Sequence, residues 1–223
     1  MFPRIQDRLR AAVSPAGKRS FLLQLGRRAR LLDVGCGNDA PIYCKRLRPD
    51  LHYIGLDIDD YNQSERSKML ADEYILVRPE RFAQAIESLQ GSVDAVISSH
   101  NLEHCAEPER VLDAMCRAVA PGGVLFLSFP SAASVEFPSR GGTLNFYDDS
   151  THRNLIDWER TLAKLCAHGF NMARSHRRYR PPVLYVIGAA CEPFSRARRK
   201  VLPGTWAYWG FESIIWASKR SSS

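Results

Sequence analysis

No run of about 20 apolar residues occurs in this 223-residue chain, which excludes a membrane-spanning helix as the organising element. The N-terminus lacks the apolar core of a secretion signal, because Arg4, Arg8 and Arg10 fall within its first ten residues. The six cysteines (Cys36, Cys44, Cys105, Cys116, Cys166 and Cys191) show neither CxxC spacing nor a paired framework. Most of them read as small core residues of a reduced, cytoplasmic protein. Internal repeats are absent, and only Ser221–Ser223 is of low complexity. His100 and His104 flank Glu103, but this is not the HExxH arrangement and no second cluster is evident, so no metal is expected.

The length suits one domain with a sizeable core. The net charge of +7 is uneven: residues 1–30 and residues 171–200 each hold eight Lys/Arg against one acid. The rest of the chain is therefore net acidic. These basic ends are either solvated faces or sites attracted to something anionic, such as a membrane surface, a nucleotide-linked sugar or RNA.

The most informative stretch is Leu31-Leu32-Asp33-Val34-Gly35-Cys36-Gly37-Asn38. A short apolar strand ends in an acid and turns through two glycines, which lets a ligand approach the main chain. Asp33 disfavours a pyrophosphate and suits a cationic ligand, because like charges repel. Ile54-Gly55-Leu56-Asp57-Ile58 repeats the pattern of strand and acid. Asp57 lies 20 residues beyond Gly37, the spacing at which the next strand's acid reaches ribose hydroxyls. Gly35-x-Gly37-x-x-Ala40 also satisfies a dinucleotide fingerprint, and Asp33 argues against that alternative.

Together with His100-Asn101-Leu102-Glu103-His104 and Ala120-Pro121-Gly122-Gly123, these motifs resemble the class I S-adenosylmethionine-dependent methyltransferases. The nearest likeness is to the type 11 branch, over roughly residues 28–170. The resemblance implies a glycine loop (Asp33, Gly35, Cys36 and Gly37) on the methionine part of S-adenosyl-L-methionine and Asp57 with Ile58 at the ribose. Ser99 and His100, at the end of the fourth strand, would face the reactive methyl group. Many members carry an Asp after strand three that contacts adenine. This chain reads Val77-Arg78-Pro79-Glu80 there, so the adenine contacts are open.

Strands are expected at about 30–34, 52–56, 74–77, 93–97 and 124–129, with helices over 80–89, 108–119 and 155–167. Residues 172–180 and 211–217 would form an antiparallel hairpin at the edge, as the resemblance implies. The expected fold is α/β: a Rossmann-like doubly wound sheet of about seven strands, mostly parallel, with an antiparallel last strand and helices on both faces. Within one domain, 1–29 reads as a basic helical extension, 130–153 as a lid loop, and 181–210 as an insertion before the last strand.

Methyl transfer to a hydroxyl needs a base, and histidine or a carboxylate suits. His152 and Asp149 in the lid loop, and His100, are the candidates. Arg140 and Arg153 could hold an anionic group of the acceptor. The expected acceptor is a small molecule, sugar or lipid-linked glycan, and the long insertion resembles that of surface-polysaccharide enzymes. RNA is a competing acceptor, but the Asn/Asp-Pro-Pro-aromatic motif of base methylation is missing after strand four, where Ser98-Ser99-His100-Asn101 stands. A non-catalytic cofactor-binding subunit is the other alternative. Pro181–Phe194 is apolar and bracketed by cations, which fits peripheral contact with an anionic inner membrane surface.

Overall fold

The structure, a computed structural model, describes residues 5–221; Arg4 of the basic extension and the last two serines lie outside the described residues. In chain order the elements are α1 (Ile5–Val13), α2 (Lys18–Gln24), β1 (Arg30–Val34), α3 (Ala40–Leu47), β2 (His52–Asp57), α4 (Glu65–Leu70), β3 (Glu73–Leu76) and α5 (Phe82–Glu87). They continue with β4 (Val93–Ser99), α6 (Pro108–Ala118), β5 (Val119–Pro130), α7 (Trp158–Ala167), β6 (Phe170–His176), α8 (Pro182–Arg198), α9 (Thr205–Trp209) and β7 (Glu212–Lys219).

The seven strands form one sheet in the order β3-β2-β1-β4-β5-β7-β6. The first five pair in parallel, and β7 runs antiparallel between β5 and β6. Central strands such as β1 are buried along nearly their whole length because helices cover both faces. On one face Ile86, Met115 and Leu165 from α5, α6 and α7 pack on Leu56, Leu125 and Ile215. On the other, Phe21, Leu22 and Leu47 from α2 and α3 pack on Leu31, Tyr53 and Trp216. The strand order reverses beside β1 and β4, and such a switch point opens a ligand crevice at the strands' carboxyl ends.

Boundaries differ from expectation where local bonding decides them. Strand β5 begins at Val119 directly after α6, and Ala120–Gly123 bulge out of the ladder between the pairs Val93–Val119 and Ala95–Val124. Helix α7 starts three residues later than expected, because Asp157 caps it by accepting from the Arg160 N–H at 2.9 Å. Strand β6 ends at His176 instead of reaching residue 180. The insertion is largely helical: α8 and α9 meet where Gly188 and Gly204 approach so closely that a Cβ on either would collide with the other's backbone.

Candidate functional site

A cleft of about 850 Å³ opens at the carboxyl ends of β1, β2 and β4, within the size range of small-molecule sites. One end is built by the turn after β1. Gly35 has φ +76° and lies against Asn101, whose side chain occupies the place a Cβ would need. Gly37, Asp57 and Ile58 line the same end. The Asp57 Oδ1 accepts from the Ile58 N–H at 2.7 Å; burial pushes this carboxyl up, against backbone donors that pull it down.

Asp33 and Cys36 are fully buried and lie beneath this lining. The Asp33 Oδ2 accepts from the Tyr53 hydroxyl at 2.7 Å and from the Lys18 ammonium at 3.4 Å, while its Oδ1 has no protein partner. Burial pushes Asp33 up; Lys18 and Tyr53 pull it down. The carboxylate thus meets the cleft through Lys18, a lining residue the sequence did not point to. Val77 and Glu80 do not line the cleft; Ile58 and the exposed Tyr61 do. Tyr61 is brought there by its backbone carbonyl, which accepts from the Asn38 N–H at 2.9 Å.

His100 stands at the middle of the cleft, just beyond β4, with φ +51°. Ser99 beside it bonds Ser128 across the sheet at 2.9 Å. Both His100 ring nitrogens face carboxylates: Nδ1 lies 3.1 Å from Glu103 Oε1 and Nε2 lies 2.9 Å from Glu212 Oε1. Burial opposes its charge, yet the two hydrogen-bonded carboxylates outweigh burial and push its pKa up to about 10. His100 is therefore an imidazolium at neutral pH with no lone pair to accept a proton, so the sequence's base candidacy for it does not fit this geometry. Glu212 carries no motif and reaches the site only because β7 lies beside β5.

A stability consequence follows. The folded pKa of about 10 lies above the ordinary 6.5, so the His100 contribution is complete below pH 6.5 and fades as pH rises toward 10. Denaturant midpoints measured across that window should fall in the wild type and fall less in His100→Asn, whose side chain tolerates positive φ. Equal slopes in the two proteins would remove the ion-pair assignment.

The far end is formed by His104 and by Asp149, Thr151 and His152 from the loop after β5. Backbone N–H groups of Arg153 and Asn154 donate to the Glu103 carbonyl at 2.8 and 3.1 Å, pinning this loop beside the Leu102–His104 turn. His152 Nδ1 lies 2.6 Å from the Phe146 carbonyl, which makes Nδ1 a donor and leaves Nε2 as the nitrogen not bound to the main chain. That Nε2 is 3.9 Å from Asp149 Oδ2. The Thr151 N–H and hydroxyl hold Asp149 Oδ1 at 2.8 and 2.6 Å. Burial raises the Asp149 carboxyl, but these bonds outweigh it and leave it below its ordinary value. Glu103, His104 and His152 each bring one ligand-type atom within 4.8 Å of the others, a grouping that sequence spacing does not display.

Arg140 and Arg153 do not line the cleft. Arg140 is buried and makes two bonds, 2.7 and 2.6 Å, to Glu192 of α8, with a third to Ser195 at 2.7 Å. Its role is to tie the loop to α8.

A family model described as a methyltransferase domain matches residues 5–174. A ubiquinone biosynthesis O-methyltransferase of Dechloromonas aromatica is 30% identical over 129 residues, covering 55% of this chain and 48% of that protein. The chain thus spans about half the length of the curated relatives it matches. An S-adenosylmethionine-dependent methyltransferase structure from Mesorhizobium loti superposes with a TM-score of 0.58 at 18% identity, covering 93% of this chain and all of that one. A Burkholderia thailandensis 1,6-didemethyltoxoflavin-N1-methyltransferase, solved with its acceptor and S-adenosylhomocysteine, gives 0.57 at 15% identity, covering 95% and 79%.

Proposed function

The chain belongs to the methyltransferase-domain family, and from that premise we propose that it carries a methyl group from S-adenosylmethionine to a hydroxyl of a small-molecule, sugar or lipid-linked acceptor. One observation carries this reading: a single cleft is lined by the glycine turn, Asp57 and the ring of His152, whose Nδ1 is bound to the Phe146 carbonyl. When bound, the cofactor supplies an activated methyl on a sulfonium. The residues fit it: Gly35 and Gly37 leave the main chain open, Asp57 offers a carboxylate to the ribose hydroxyls, and Ile58 and Tyr61 offer an apolar seat to the base.

Such a reaction asks the chain mainly to align the two reactants and exclude water. Trp206 and Phe211 wall the cleft next to His100, and the loop after β5 covers the acceptor end. His152 Nε2 takes the acceptor proton as the new bond forms, and Asp149 steadies the resulting imidazolium. The name of the Dechloromonas relative, an O-methyltransferase, supports oxygen as the atom methylated. A surface glycan or its lipid-linked precursor matches the polar lining of Asp149, Thr151 and His152 better than RNA does.

Calorimetric titration with S-adenosylhomocysteine, followed by transfer of labelled methyl to candidate hydroxyl acceptors, tests the proposal. Asp57→Ala should weaken S-adenosylhomocysteine at least about tenfold, as expected for lost hydrogen bonds to a charged group. Unchanged affinity would move the ribose elsewhere. Transfer undiminished by EDTA fits His152 as the base. Loss restored by Mg²⁺ or Zn²⁺ would instead give Glu103, His104 and His152 to a cation.

A further inference from the structure

We infer that the outward face of α8, with α1 beside it, docks on an anionic lipid bilayer. A surface helix normally turns charged side chains to water, but α8 does the reverse. From Pro182 to Ser195 its only charged residue is Glu192, and that carboxylate is held inward by Arg140. The side facing the protein carries the buried Gly188 and Ser195. The opposite side presents Val183, Val186, Ile187, Ala190 and Phe194, recurring at helical spacing, with Val186 67% and Phe194 62% exposed. Tyr185 is turned aside against Tyr208.

Helix α1 touches α8 and also leaves apolar side chains in the open, beside exposed arginines. It buries no residue and leaves Ile5 and Leu9 exposed by 79% and 63%. No helix among the described residues is long and apolar enough to cross a bilayer, so the geometry suits a helix lying in the interface. The charge pattern selects the occupant. Arg8 and Arg10 on α1, and Arg196, Arg198, Arg199 and Lys200 at the end of α8, are exposed, and among the described residues none pairs with a carboxylate. Apolar residues bordered by unpaired cations match acyl chains beneath anionic headgroups; a water-facing surface would leave both unmet. The Arg140–Glu192 pair and the Gly188–Gly204 contact fix α8 on the body of the protein, so the face is presented rigidly.

This inference does not depend on the proposed reaction. The full chain is sedimented with phosphatidylglycerol/phosphatidylcholine vesicles and with pure phosphatidylcholine, at low and at high salt. Binding to the anionic vesicles alone, weakened by salt, is the expected result. Val186→Glu with Phe194→Glu should lower the partition at least about tenfold, since both side chains lose their apolar burial. Arg198→Glu with Arg199→Glu should lower it and weaken its salt dependence, without touching the apolar face. S-adenosylhomocysteine titration of each variant reports that the fold is kept, because these exposed residues lie outside the cleft. Wild type that ignores anionic vesicles at low salt overturns the proposal. So does a lipid-free dimer that the glutamate variant converts to monomer, which would give the face to a second copy of the chain. Failure of S-adenosylhomocysteine to bind the wild type would sink the reaction reading alone.

Discussion

Replacing His152 with alanine lowers kcat about 10²–10⁴-fold, the range of a lost general base, while S-adenosylhomocysteine affinity stays at the wild-type value. The separation of the two effects follows from position. His152 comes from the loop after β5 and Gly35 and Asp57 from the ends of β1 and β2, so cofactor contacts survive its loss. Its ring is held on three sides: Nδ1 donates to the Phe146 carbonyl, the Phe146 ring lies 4.7 Å away between centroids, and the His104 ring 4.9 Å. A side chain so restrained has one nitrogen, Nε2, that the main chain does not hold. Asp149→Asn should cost less, because Thr151 still orders the loop and His152 keeps its tautomer. The readout is kcat and KM for acceptor alongside calorimetry for cofactor. His152→Ala with kcat within a factor of two of wild type would end the assignment.

Glu192→Ala destabilises the fold by about 3–5 kcal/mol, the usual penalty for stranding one partner of a buried ion pair. For a domain of this size that is a loss of roughly 10 °C in the thermal midpoint. The Arg140 side chain is 3% exposed, so its guanidinium finds no water once the carboxylate is gone. Its remaining partners, the Ser195 hydroxyl at 2.7 Å and the ring of Trp209, do not neutralise its charge. Replacing both members by apolar residues of similar volume, Arg140→Met with Glu192→Leu, should recover most of the midpoint. Thermal unfolding of the three proteins checks this. A single variant within 2 °C of wild type would mean that water reaches Arg140 after all, and the estimate from burial would fall.

The parts of this protein that are legible in its sequence are those with local periodicity. The apolar run before Asp33 and its echo before Asp57 mark two parallel strands, and Val111, Leu112, Met115 and Ala118 mark the buried stripe of α6. The edge hairpin is also readable, through resemblance. Helix α8 is harder to read, because Val183, Val186 and Ile187 favour strands as much as helices and its outward side is apolar instead of charged. Asn145, Asp148 and Asp149 show that the lid loop is rich in turn formers, but not that its backbone is pinned to Glu103. Glu212 lies 112 residues from His100, and Lys18, though only 15 from Asp33, belongs to a different element. Tertiary pairing alone delivers them, and no spacing rule finds them.

Strand β7 follows the other six described strands in chain order yet lies inside the sheet, between β5 and β6. While the chain is being made, β5 is an open edge and β6 has no strand to join until residues 212–219 emerge. The same segment brings Glu212 to His100. The half of the cleft built from β1 and β2 is thus complete early in synthesis, whereas the half around His100 waits for residues 212–219. A chain that stops short of β7 keeps its glycine turn and loses one of the two carboxylates that hold His100 in place.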